Sequence, residues 1–247
     1  VEKVKYASSL GVDFIICDHH NPDDVLQAAI AVLDAKREDC NYPYKHLSGC
    51  GVGFKLMQAF AIVNEIDFQN LIPLLDLVAL SIASDIVPIT GENRILAFYG
   101  IKQINTNPST GIKAILEVCG LKDKEISISD IVFKIGPRIN ASGRMKLATE
   151  AVELLVARDY GFAYKRSSTI NVYNNDRKDL DKSITDEAIA MIRADQSYVD
   201  RKSIVVYKPD WHKGVIGIVA SRLSEEYYKP TIVLTKSNGF ASGSARS

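Results

Sequence analysis

Val12-Asp-Phe-Ile-Ile-Cys-Asp-His-His-Asn-Pro22 is the stretch on which the reading of this chain turns. Val12 to Cys17 is a short apolar run rich in β-branched and aromatic residues. It follows the helix-like Glu2 to Leu10, with Gly11 placed as a helix stop, and so predicts a buried strand. Asp18, His19 and His20 then fall at the carboxyl end of that strand, where the ligand crevice of an open α/β sheet lies. One imidazole there can bind a divalent metal through a ring nitrogen, and a neighbouring carboxylate can orient it. Successive strand residues point to opposite faces, so both histidines share a site only if the strand has ended by residue 18 or 19. Asn21-Pro22 allows this. Taken alone, the pair fits loop histidines with no ligand equally well.

Outward from this point the chain alternates helix and strand. Val25 to Asp34 is open between a helix capped by Asp23 and a strand over Ala31-Val32-Leu33. The pattern predicts helices at Phe54–Asn64, entered through Gly49, Gly51 and Gly53, and at Leu71–Ala83, with a break at Pro88. Further helices are expected over Glu92–Ile104, Gly111–Val118 and Ala148–Ala157. Phe162 to Ile192 is polar, free of proline and helix-compatible, despite the weak helix formers Asn171 to Arg177. Ser203–Tyr207, Val215–Tyr227 and Pro230–Leu234 read as strand, helix and strand, a second α/β unit beginning near residue 200. The expected class is α/β with a parallel sheet.

Composition narrows the function classes without choosing one. Of 247 residues, 47% are apolar and 24% charged, which argues against disorder, collagen and coiled coil. No apolar run approaches the roughly 18 residues that span a bilayer, and Leu71–Ala83 carries Asp76. The chain opens on Val1 without a basic-then-apolar leader, so a secreted or membrane protein is not expected. Thirty basic residues balance 30 acidic ones, and the overall charge points to no nucleic-acid partner. Cys17, Cys40, Cys50 and Cys119 form no CxxC, which suits a reduced, cytoplasmic setting and disfavours a thiolate zinc site. His46 and His212 are isolated and read as surface or hydrogen-bonding residues.

Ala83-Ser-Asp-Ile-Val-Pro88 sets Asp85 among apolar neighbours, where a carboxylate needs a partner, a metal or a capping role. Before Pro88 a turn aspartate is the plainer reading. Together with the histidine pair it suggests an imidazole and a carboxylate on a hard divalent ion such as manganese or magnesium. Gly49, Gly51 and Gly53 do not complete a GxGxxG fingerprint, because Phe54 stands at its third glycine. They read as a helix entrance that allows close backbone packing. Between residues 134 and 178 nine basic residues face four acidic ones, a local excess suited to an anionic strand or to a solvated helix face. Trp211 and His212 could stack on a base, although a half-buried tryptophan is the simpler account.

Asp18-His-His20, Leu47-Ser-Gly-Cys-Gly-Val-Gly-Phe-Lys55, Ala83-Ser-Asp-Ile-Val-Pro88, Gly91-Glu-Asn-Arg94 and Ile135-Gly-Pro-Arg-Ile-Asn-Ala-Ser-Gly-Arg144 occur in one order along the chain. Asn174-Asn-Asp-Arg177, Trp211-His-Lys-Gly-Val-Ile-Gly-Ile-Val-Ala220 and Gly243-Ser-Ala-Arg-Ser247 continue the series. The series resembles the RecJ family, single-strand-specific 5′-to-3′ exonucleases of the DHH phosphoesterase superfamily.

The resemblance implies a parallel-sheet DHH domain over residues 1–160, a connecting helix over 161–200 and a smaller α/β DHHA1 domain over 201–247. It implies His19 and Asp85 as metal ligands, His20 at the scissile phosphate, and Asp18 supporting from behind. Arg138, Asn140 and Arg144 would face the nucleic-acid backbone on a loop shaped by Gly136, Pro137 and Gly143. Ser244 and Arg246 would hold the 5′-terminal phosphate. The implied cofactor is Mn2+ or Mg2+ in a two-metal site, with water attacking phosphorus in line and no covalent enzyme intermediate. A cleft between the domains would admit a single strand and exclude a duplex. Single-stranded DNA is the implied partner, with a helicase and a single-strand-binding protein, and a monomer is expected.

The family pattern also has an Asp-x-Asp segment and a second aspartate-bearing strand before Val1, and a Gly-Gly-His segment after Ser247. The expectation is that the chain corresponds to the middle of the pattern, binding metal poorly and inactive by itself. Two other readings remain open: a DHH phosphoesterase acting on pyrophosphate, cyclic dinucleotides or short oligonucleotides, and a non-catalytic nucleic-acid-binding scaffold.

Overall fold

In the computed structural model, which describes residues 2–23, 25 and 28–247, the chain divides into two compact units. The first comprises residues 1–137 with 154–167, the second residues 138–153 with 168–247. In chain order the elements are α1 (Glu2–Ser9), β1 (Ile15–Cys17), β2 (Ala31–Leu33), α2 (Gly49–Val63), α3 (Leu75–Ser84), α4 (Gly91–Thr106), α5 (Thr110–Val118) and α6 (Ile128–Asp130). A π-turn over Ile131–Ile135 leads into α7 (Gly136–Met145), followed by α8 (Thr149–Leu155), α9 (Tyr160–Ala194) and α10 (Ser197–Asp200). The chain closes with β3 (Ile204–Tyr207), α11 (Ile216–Tyr227), β4 (Thr231–Ser237) and β5 (Phe240–Arg246).

In the first unit β1 and β2 pair in parallel, Ile15 opposite Ala31 and Cys17 opposite Leu33. Backbone bonds from Ile30 N to the Phe14 carbonyl (3.0 Å) and from Asp18 N to the Leu33 carbonyl (2.9 Å) extend the ladder at both ends. This resolves Ala31–Leu33 as a strand. Of the alternative helix capped by Asp23, residues 24, 26 and 27 lie outside the described residues. The expected burial of the first strand is not met: Ile15 is 57% exposed, and Ile16 and Cys17 are half-buried. A parallel strand is covered when helices lie on both its faces and strands on both its edges. Among the described residues β1 pairs with β2 alone.

The helices bury more. Ser48, fully buried, caps α2 by accepting from Gly51 N at 3.1 Å. Phe54 and Ala61 of α2 then pack with Leu75, Val78 and Ile82 of α3 and Ala97 of α4. Gly100 of α4 permits the closest approach, since a Cβ there would fall 2.3 Å from the Leu75 carbonyl oxygen. Asp76, also fully buried, accepts from Ser109 N at 2.7 Å and so ties the start of α5 to α3.

Gly136 to Met145 departs from the expected loop: the segment is helical. The π-turn before it ends with Gly136 N donating to the Ile131 carbonyl, five residues back. Pro137 then stands at the second position of α7, where a missing N–H is tolerated. A Cβ on Gly136 would sit 2.8 Å from Ser84 Oγ, so this glycine serves close packing rather than a turn.

The second unit is a three-stranded sheet in the order β3-β4-β5. β3 and β4 are parallel, and α11 is their crossover. β4 and β5 form an antiparallel hairpin through Asn238 (φ 51°) and Gly239 (φ 83°). Both turn residues are left-handed, as a two-residue hairpin favouring Asn-Gly requires. Ile204 and Val206 of β3, Val233 of β4, and Val219 and Leu223 of α11 are buried with Ile184, Ala188 and Ile192 from α9. The polar tract Asn171–Arg177 does not interrupt α9, which runs for 35 residues.

Trp211 belongs to this core. It is 4% exposed, and its Nε1 donates to Glu187 Oε2 at 2.9 Å, so it is not available to stack on a base. Because the chain has one tryptophan, its fluorescence reports on this unit. Trp211→Phe, losing that bond and part of the ring, is expected to cost about 1–2 kcal/mol, read as an earlier denaturation midpoint by circular dichroism. An unchanged midpoint would show that the indole contributes little. No helix among the described residues is long and apolar enough to cross a membrane.

Candidate functional site

Asp18 leaves β1 and immediately folds back on the two residues that follow it. Its Oδ1 accepts from the backbone N–H groups of His19 (2.7 Å) and His20 (3.2 Å), and lies 2.7 Å from His20 Nδ1. This local turn ends strand geometry at residue 18, the condition under which both histidines can share a site. Their rings lie 4.4 Å apart between centroids, tilted by 48°. The hydrogen bond from the His20 ring holds the Asp18 carboxyl below its ordinary range; burial opposes it, and the two backbone amides add to the lowering. Asp18 therefore steers His20, taking Nδ1 and leaving Nε2 pointed elsewhere; the His20 side chain is 77% exposed.

His19 turns to a different partner. Its Nε2 lies 3.0 Å from Asp85 Oδ2. Gly49, the first residue of α2, sits against this ring: a Cβ there would meet His19 Cδ2 at 3.3 Å. The glycine-bearing helix entrance thus makes room for the imidazole.

Asp85 is placed by the end of α3, where it is the C-cap and its N–H donates to the Ser81 carbonyl. The chain then turns sharply. Ile86 adopts φ 54° with its side chain 79% exposed, a conformation that costs a β-branched residue about 1–2 kcal/mol. Tyr44 Oη and Asn93 Nδ2 both donate to the Pro88 carbonyl at 3.0 Å, and Asn93 Nδ2 also donates to the His46 carbonyl at 2.6 Å. Gly91 fits beneath the Tyr44 ring, where a Cβ would lie 2.7 Å from the ring carbons. The strained turn is held from several sides, as strain at a functional position usually is. Ile86→Gly should relieve it, raising stability by about 0.5–1 kcal/mol after the glycine entropy cost. Thermal unfolding of the variant checks this, and a lower midpoint would show that the isoleucine packs usefully.

His19 and Asp85 present one nitrogen and one carboxylate oxygen to the same point, a donor pair suited to a divalent ion. Among the described residues no group of three or more His, Cys, Asp or Glu could hold a metal by itself. The residues present therefore fit as part of a ligand set. A cavity of about 220 Å³ lies beside Asp18 and His20 and is lined also by Asn21, Asp23 and Asp34, but not by His19 or Asp85. Asp34, 6% exposed at the carboxyl end of β2, carries no clear sequence signal beyond its place after an apolar run.

The remaining site residues lie in the second unit. Arg138 Nε donates to Asn171 Oδ1 of α9 at 2.9 Å, Asn140 is exposed, and Arg144 Nη1 reaches the Gly214 carbonyl at 3.4 Å. Ser244 and Arg246 meet on β5, with Arg246 Nη1 donating to Ser244 Oγ at 3.0 Å. Gly217, near the start of α11, faces them: a Cβ there would lie 3.3 Å from Ser244 Oγ and 3.6 Å from Arg246 Nη2. A hydroxyl and a guanidinium beside a helix N-terminus make a suitable place for an anion. Sequence reading does not single out Gly217, because its role appears only when α11 and β5 are side by side.

Residues 1–82 match the model of the DHH family, N-terminal domain. Along its whole length the chain is 39% identical to the single-stranded-DNA-specific exonuclease RecJ of Bacillus subtilis (strain 168), covering 31% of that protein. It is 37% identical over 99% of its length to the protein of the same description from Escherichia coli (strain K12), covering 44% of it. The chain thus spans less than half the length of these curated relatives. Among solved structures, RecJ from Thermus thermophilus in complex with Mn2+ superimposes with a TM-score of 0.81 at 26% identity, over 95% of this chain and 34% of that one. A second exonuclease RecJ bound to manganese gives 0.80 at 27% identity, over 95% and 57%. Residues 1–82 thus resemble the DHH family, and the chain as a whole is similar to RecJ proteins in sequence and in fold.

Proposed function

We propose that the protein carrying this chain is a metal-dependent exonuclease that degrades single-stranded DNA from its 5′ end. The observation that carries the reading is the meeting of His19 and Asp85 beside a His20 that Asp18 holds by its Nδ1. His19 and Asp85 would hold Mn2+ or Mg2+ together with further carboxylates. The bound metal would supply Lewis-acid polarisation of the phosphoryl oxygens and acidify the attacking water. Asp18 stays ionised and keeps the His20 ring in one orientation. As the imidazolium, with Nδ1–H given to Asp18, His20 would donate its Nε2–H to a non-bridging oxygen as charge builds on it in the transition state.

In the second unit Arg138, Asn140 and Arg144 would position the strand through its phosphates, and Ser244 and Arg246 would take the terminal phosphate that sets polarity. Residues 161–200 as a connecting helix and 201–247 as a DHHA1 domain belong to the same reading. So do a cytoplasmic location, a monomeric state, and a helicase and a single-strand-binding protein as partners.

The test uses the complete protein with Mn2+ or Mg2+ on 5′-labelled single-stranded DNA, beside the matched duplex. Labelled mononucleotide is expected first, from the single strand and not from the duplex. Tight binding without cleavage under either metal would put the non-catalytic scaffold in its place. Turnover that gains nothing from strands longer than a few nucleotides would point to a small-substrate phosphoesterase.

A further inference from the structure

One face of α9 in the second unit carries Asn174, Arg177 and Asp181, spaced three and four residues apart so that their side chains line up. Asn174 is fully buried, and its Nδ2 has no hydrogen-bond partner among the described residues. Arg177 Nη2 donates to Asn174 Oδ1 at 3.3 Å, while Arg177 Nε is buried and likewise without a partner. Arg222 of α11 reaches in from the other side, its Nη2 donating to the buried Asp181 Oδ2 at 2.8 Å. Arg144, whose Nη1 reaches the Gly214 carbonyl, adds positive charge in the neighbourhood of Arg177.

The charges here do not balance. Burial lowers the Arg177 pKa first of all; Asp181 opposes this, and Arg144 and Arg222 both add to the lowering. Among the described residues Arg222 alone is bonded to Asp181, whose buried Oδ1 has no partner, and two donors, Asn174 Nδ2 and Arg177 Nε, stay unused beside a surplus of guanidinium charge. Buried donors without acceptors are costly, and so are like charges held together out of water. An anion rich in acceptors answers both, and a phosphate oxygen set matches the guanidinium fork.

We propose that Asn174, Arg177 and Arg222, with Arg144, bind one phosphate group of the nucleic-acid backbone. The identity of the occupant rests on the single-strand reading above. Gly217, beside Ser244 and Arg246, and Arg222 stand five residues apart on α11, about 7.5 Å along its axis. The two groups are therefore separate stations, one for a strand terminus and one for an internal phosphate.

The full chain is compared with Arg177→Gln and Arg222→Gln in two assays. Binding of a fluorescent single strand ending in a 5′-hydroxyl is followed by anisotropy across salt concentrations. Each variant is expected to bind about 5- to 10-fold more weakly on any sequence, with the slope of log K against log salt reduced by about 0.7 for the lost phosphate contact. Arg177→Lys should restore the slope but not the full affinity, because it keeps the charge and loses the fork.

In the second assay, inorganic phosphate at matched ionic strength replaces chloride in thermal unfolding. The parent chain should be stabilised more than Arg177→Gln, which keeps only the response of the Ser244 and Arg246 station. Variants that fold, by circular dichroism and Trp211 fluorescence, yet keep the parental affinity, slope and phosphate response would overturn the site. A parent chain stabilised by phosphate through Arg177 but blind to single-stranded DNA would keep the oxyanion site and defeat the strand reading.

Discussion

On the exonuclease reading, His20→Ala in the complete protein is expected to lower the rate constant for strand cleavage by about 10²- to 10³-fold, the scale on which loss of one preorganised donor to a developing oxyanion is felt. The side chain is 77% exposed, so the fold should not change. Its one strong contact is the 2.7 Å bond between Nδ1 and Asp18 Oδ1, which serves orientation. Affinity for the strand should stay within about twofold, since phosphate contacts elsewhere supply most of it. Single-turnover cleavage with saturating Mn2+, beside anisotropy on an uncleavable strand, separates the two quantities. Asp18→Asn should show a milder loss of about 10- to 100-fold, because the ring remains while its orientation and basicity are no longer set. A His20→Ala enzyme as fast as its parent would remove His20 from the chemistry.

Gly100→Val is the substitution expected to cost most stability, about 3 kcal/mol. The gain in helix propensity over glycine is at most about 1 kcal/mol, and smaller for a β-branched residue. Against it stands a new Cβ 2.3 Å from the Leu75 carbonyl oxygen and 2.6 Å from Ala79 Cβ. Neither neighbour is the free end of a flexible side chain, so α4 must move away from α3. The consequence reaches the site, because α3 ends at Asp85 and the turn that follows is tied to Asn93 of α4. Urea denaturation should show the lost stability, and Mn2+ titration of the folded variant a several-fold weaker affinity. Wild-type stability would mean that the two helices tolerate separation.

Much of this molecule is legible in its sequence. The helices over residues 2–9, 91–106, 110–118 and 160–194 follow from periodicity and from stops such as Gly11. The strand–helix–strand order of the second unit is equally plain, because each element repeats its own apolar period over several residues. The Asp18 turn can be foreseen too, since Asn21-Pro22 ends a strand wherever it occurs.

Other features carry a signal that is easily passed over or misread. Asn238-Gly239 announces the β4–β5 hairpin, yet the stretch after Leu234 stands out for its motif and not for its strand. Gly136-Pro137 suggests a loop, whereas a π-turn over Ile131–Ile135 feeds it into a helix with Gly136 packed against Ser84. A half-buried Trp211 is the simplest expectation, and only the closing of α9, α11 and the sheet around it buries the ring in full.

What the sequence determined alone is which residues have the chemistry: a strand ending in two histidines, an aspartate among apolar neighbours, arginines beside glycines. What only the tertiary structure decided is which of them meet. His19 and Asp85 stand 66 positions apart, and their 3.0 Å approach depends on Gly49 yielding space and on a strained turn pinned by Tyr44 and Asn93. Arg222 of α11 is brought to Asp181 of α9 by the packing of two helices. Local periodicity encodes the face a residue occupies; the partner across that face is set by which backbones can approach, and that is a property of the packed chain.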